Sequence, residues 1–62
     1  MKTITLLQSG HEIGVKVLVH SVKQFYTTTY RTGQVVTTIE FIDGTTNDFK
    51  NPLDEVENLI NN

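Results

Sequence analysis

The side chains able to do chemistry in this 62-residue sequence are few and scattered. His11, Glu12 and His20 offer nitrogen and oxygen donors, but their spacing fits no compact metal-ligand motif and no cysteine assists them. Polar turn and edge positions account for them better. Asp43, Asp48, Asp54 and Glu55 could gather as an acid pair or a calcium site. Asp43, however, precedes Gly44 in a turn signal, and Asp54 and Glu55 stand at a helix start, so three of the four have structural reasons of their own. Ser9 and Ser21 have only neighbouring histidines as bases and no nucleophile-elbow pattern around them. The glycines at 10, 14, 33 and 44 are too dispersed for a phosphate-binding loop. The expectation is a non-enzymatic chain with no cofactor, no resident metal and no small-molecule substrate.

A surface is the stronger candidate. Lys23, Tyr26, Tyr30 and Arg31 fall in and around an expected hairpin tip, with Lys16 as a further cation. Aromatic and cationic groups together suit base stacking with phosphate contact, and equally a protein hot spot. The structural alternative is that Tyr26 packs over the end of a barrel while the others are solvated. Charge is segregated along the chain. Up to Arg31 four bases face one acid (4 − 1 = +3), and from Thr32 one base faces six acids (1 − 6 = −5). Such asymmetry can steer a partner, or it can mark an acidic helix facing solvent, the weightier reading for so few charges.

These residues need elements to position them. Lys2–Gln8 alternates Ile4 and Leu6 against Thr3 and Thr5, as a half-buried strand does. Ser9-Gly10-His11 is a turn signal. His11–Val19 resumes the alternation with Ile13, Val15, Val17 and Val19 on one face, and Gly14 inside it is expected to mark a bulge or close backbone approach. The parity slips near His20-Ser21, which predicts a bulge or tight corner. Lys23–Thr29 is the third strand, and Tyr30-Arg31-Thr32-Gly33 the hairpin tip. Gln34–Ile42 is the strongest strand, apolar on both faces in places, with Val35, Ile39 and Phe41 against Val36, Thr38, Glu40 and Ile42. Asp43-Gly44 predicts a two-residue type I′ turn, with Thr45–Phe49 returning. Asn51 is expected to cap a helix opened by Pro52, whose Leu53, Val56, Leu59 and Ile60 share one face.

The expected fold is mainly β (α+β). Five antiparallel strands in meander order form a curved sheet or SH3-like half-barrel, closed by one short C-terminal helix. One domain covers residues 1–62. A chain of this size buries only about 60% of the surface its unfolded form exposes, so self-association is expected. The absence of cysteine fits a reducing, cytoplasmic setting. No apolar run approaches the roughly 18 residues of a membrane span, and the N-terminus is too short and polar for a secretory signal.

The order of strand, Gly turn, valine-rich strand, I-E-F-I-D-G hairpin and Pro-started helix with D-E-V-E-N-L-I resembles the short FlbD-type flagellar proteins. The likeness spans Ile4 to Ile60 and implies a small motility-associated factor. From Val17 to Ile60 the rhythm is also similar to the LytTR DNA-binding domain, which would imply duplex binding. The function expected from the residues is a protein-binding or self-associating module; the alternative is nucleic-acid binding through the basic and aromatic hairpin tip.

Overall fold

The computed structural model describes residues 2–62. Two antiparallel sheets and one C-terminal helix make up the fold. β1 (Thr3–Leu7) pairs with β2 (Gly14–Leu18), and β3 (Val22–Thr29), β4 (Val35–Phe41) and β5 (Thr46–Phe49) form a second sheet in that order; α1 (Leu53–Asn61) follows. The strands therefore do not form one five-stranded meander, and neither sheet closes into a barrel. A 3₁₀ turn at Val19–Ser21 interrupts the path from β2 to β3, held by the Ser21 hydroxyl donating to the Leu18 carbonyl at 2.7 Å. The expected corner is thus a 3₁₀ turn, with a bulge just beyond it between Val22 and Gln24. A backbone bridge from Gln8 to Phe49 joins the two sheets. There the Ser9 N–H donates to the Asp48 carbonyl (3.0 Å) and the Lys50 N–H to the Leu7 carbonyl (2.8 Å).

Alternation along β1 and β2 buries Ile4, Leu6 and Val17 against Ile39, Phe49 and Val56, which form the centre of the core. β2 is shorter than the sequence pattern suggests. Glu12 takes a left-handed backbone (φ 51°), so His11–Ile13 is loop, and Ile13 is exposed instead of sharing the face of Val15 and Val17. Gly14 lies in regular pairing with Leu7, without bulge or close approach.

Both hairpins of the larger sheet use one turn design. Gly33 N–H donates to the Tyr30 carbonyl and Tyr30 N–H to the Gln34 carbonyl; Gly44 and Phe41 repeat this with Phe41 and Thr45. Gly33 and Gly44 each have φ 91°, and Asp43 is not left-handed. The second hairpin is therefore a three-residue loop with a glycine bulge, not the two-residue type I′ turn. Asp43 Oδ1 accepts from both the N–H (3.0 Å) and the hydroxyl (2.7 Å) of Thr45, which holds its carboxyl below its ordinary range. No atom crowds a Cβ at Gly44. Gly44→Ala should thus cost only backbone strain, about 1–2 kcal/mol, read as a lowered urea midpoint with an unchanged slope.

α1 completes the interior. Val56 is fully buried, and Leu59 and Ile60 pack half-buried on the core. Pro52, extended at φ −62° and ψ 156°, occupies the cap position without a side-chain cap. Asn51, expected in that role, instead ties three elements together. Its Oδ1 accepts from the Leu7 N–H (2.7 Å), its carbonyl accepts from the Thr37 hydroxyl (2.7 Å), and its Nδ2 donates to Glu55. Leu7 N–H lies at the end of the β1–β2 ladder, where such a donor needs a partner. At the other end of α1 the Lys2 ammonium donates to the Ile60 carbonyl at 2.8 Å, positive charge on the negative end of the helix dipole. Among the described residues, no helix is long and apolar enough to cross a membrane.

Candidate functional site

β3 carries Lys23 and Tyr26 and runs straight into Tyr30 and Arg31, so its geometry decides what most of the residues singled out in the sequence can do. In the β3–β4 ladder, directly opposed residues share a face. Gln24, Tyr26 and Thr28 thus lie with Glu40, Thr38 and Val36 on the sheet face away from the core, joined from β5 by Thr46 and Asp48. Tyr26 is exposed there. Tyr30 is half-buried and donates its phenol to Asp48 Oδ2. Thr38 donates to Asp48 Oδ1 at 2.7 Å. Its single proton is used there, so in the 2.7 Å contact between Thr28 and Thr38 it is Thr28 that donates. The result is a directed chain, Thr28 to Thr38 to Asp48, with Tyr30 entering from the other side. It borders an open recess of about 240 Å³ lined by Ser9, Tyr30, Thr46, Asn47 and Asp48.

The hydrogen bond to the Asp48 carboxylate raises the Tyr30 phenol above its ordinary 10.0, with the Ser9 hydroxyl opposing. A raised value means that this contact supports the fold fully below about pH 10 and is lost as pH rises through the folded-state value. Asp48→Asn should move the Tyr30 titration down towards the ordinary phenol value, visible in the ultraviolet phenolate band.

Lys23 is the extra residue of the β3 bulge, and its ammonium sits 3.7 Å from the Glu40 carboxylate. Arg31 is exposed in the hairpin loop. Lys16 lies opposite Thr5 on the other sheet, apart from the rest. The structure therefore gathers Lys23, Tyr26 and Tyr30 on β3 and its end, with Arg31 beside them, and leaves Lys16 out. It also surrounds the group with the acids Glu40 and Asp48. Asp48, Thr38, Thr28 and Ser9 were not seen as a network from the sequence. Among the described residues, no three histidine or acidic side chains gather as a metal site; His11 and Glu12 lie in the β1–β2 loop and His20 in the 3₁₀ turn.

The other feature of β3 is its main chain. The Tyr30–Gln34 hydrogen bond fixes the alternation of the ladder, so Thr28, Tyr26 and Gln24 bond to β4. The N–H and carbonyl groups of Phe25, Thr27 and Thr29 then point away from the sheet. Among the described residues β3 pairs with β4 alone, so no strand lies on this side. Phe25–Thr29 contains no proline, charge or bulge, the usual devices that blunt an edge. The β2 edge, by contrast, is interrupted by Lys16 at its centre.

Compared with known protein families, curated proteins and solved structures, the chain matches none.

Proposed function

We propose that this chain is a non-enzymatic binding module that recruits an extended strand onto the β3 edge. The observation that carries this is the run of outward main-chain groups at Phe25, Thr27 and Thr29, unblunted over five residues. Strand addition draws its affinity from such groups and its selectivity from flanking side chains; here Tyr26 on one face and Phe25 on the other would supply it. Nucleic-acid binding is less well supported, because Tyr30 is engaged by Asp48 and Lys23 lies beside Glu40. A stacking platform for phosphate-bearing strands needs free cations and an uncluttered aromatic face. Absence of cysteine suits work in the cytoplasm.

Thr27→Pro is the discriminating variant. Its N–H is outside the β4 ladder, so proline removes an outward donor without breaking an internal bond. Random heptapeptides selected on the wild-type chain, with Thr27→Pro as counter-selection, should yield sequences that bind the first and not the second. Enrichment of the same peptides on both proteins, or of none with the chain monomeric throughout, would refute strand recruitment.

A further inference from the structure

We propose that the strand seated on the β3 edge is β3 of a second copy of this chain, antiparallel, about a two-fold axis through Thr27. The proposal rests on the strand-recruiting reading above and names its occupant.

A strand pairs with its own copy only where outward-facing residues meet outward-facing residues. On β3 these are Phe25, Thr27 and Thr29. Centring the pair on Thr27 sets Phe25 opposite Thr29 of the second copy, Thr27 opposite Thr27, and Thr29 opposite Phe25. All three are then satisfied in both directions, giving on the order of six inter-strand hydrogen bonds. Centring on Tyr26 would draw the bulge at Val22–Gln24 into the ladder, and centring on Thr28 would draw in the Arg31 loop. Only the Thr27 register stays within regular strand.

Side chains agree with that register. On the outer face Tyr26 meets Thr28 of the second copy; on the inner face Phe25 meets Thr29. Both are aromatic against β-branched, a favourable cross-strand pairing, and the self-complementary pattern repeats on each side of the axis as two-fold symmetry requires. No charge lies between Phe25 and Thr29 to repel its own image. Lys23 and the second copy's Arg31 would flank the ladder as like charges, which discourages extension of the pairing past its ends. The product would be one continuous six-stranded sheet, β5-β4-β3-β3-β4-β5.

The chain has no cysteine, so single cysteines report the register cleanly. Opposed Cα atoms of a hydrogen-bonded pair lie about 5.5 Å apart, within disulfide reach. Thr27→Cys should form a disulfide-linked dimer under mild oxidant at least roughly tenfold faster than Thr29→Cys. The latter's two sulfurs would be four strand residues apart, on the order of 14 Å. Sedimentation of the unmodified chain should show a concentration-dependent dimer that Thr27→Pro abolishes while retaining its circular dichroism. Equal cross-linking of the two cysteine variants, or a wild-type monomer at every concentration, overturns self-pairing. If peptides selected as above still bind that monomer and not Thr27→Pro, strand recruitment stands and its occupant is another protein; if they do not, both fall.

Discussion

Phe49→Ala is expected to leave the chain largely unfolded in water at room temperature. Phe49 has no exposed surface and heads the fully buried side chains in volume. It lies opposite Thr37 on β4 and bridges Gln8, so it sits where the backbones of the two sheets are joined. Truncating a buried phenylalanine costs about 3–5 kcal/mol, the range set by how far the site collapses. A chain of this size has about 3–9 kcal/mol in total. The expected loss is therefore comparable to everything holding the domain together. Urea denaturation followed by circular dichroism should show either no folded baseline or a midpoint reduced by more than half. A midpoint close to the wild-type value would mean that the sheets are held together elsewhere.

Val56→Asp should be as severe, by a different route. Val56 is fully buried beneath α1. A carboxylate there has no partner among the apolar residues of the core, Ile4, Leu6, Val17, Ile39 and Phe49. Uncompensated burial of a charge costs several kcal/mol, which the helix avoids by undocking. Undocked, nine residues are too few to remain helical in water, and the apolar faces of both sheets are left wet. The helical and strand signals should therefore disappear together. Glu57→Ala, on the exposed side of the same helix, should change stability by no more than about 0.5 kcal/mol. Loss of the helix with both sheets intact would show that α1 is an appendage and not a lid.

The helix was legible because Leu53, Val56, Leu59 and Ile60 follow helical spacing behind Pro52, and of these Val56, Leu59 and Ile60 pack on the core. The β-rich character was legible for a similar reason: alternation in Ile4–Leu6 and Val15–Val17 matches the pleat. The division into two sheets was not, since it depends on a 3₁₀ turn at Val19–Ser21 that leaves only a parity slip in the sequence.

The Tyr30–Asp48 network was hidden by one residue of register. A two-residue turn at Asp43-Gly44 would have set Asp48 opposite Ile39 and turned its side chain into the core. The three-residue loop sets it opposite Thr38, on the outer face, within reach of Tyr30. A slip of one exchanges the two faces of a strand, so the turn type alone decided whether that site could be foreseen. For β3 the sequence offered the residues Lys23, Tyr26, Tyr30 and Arg31 as side chains. The feature that matters is the direction of the peptide groups between them, which pairing with β4 determines.

Amide hydrogen exchange across Phe25–Thr29 tests that feature most directly. Thr28 N–H should be protected in dilute solution, because it bonds to Val36 on β4. Thr27 N–H should exchange freely in the dilute chain and become protected as concentration rises or a bound peptide is added. Thr27 protected in the dilute monomer, or freely exchanging in the dimer and in every complex, would contradict an open β3 edge that works by accepting a strand.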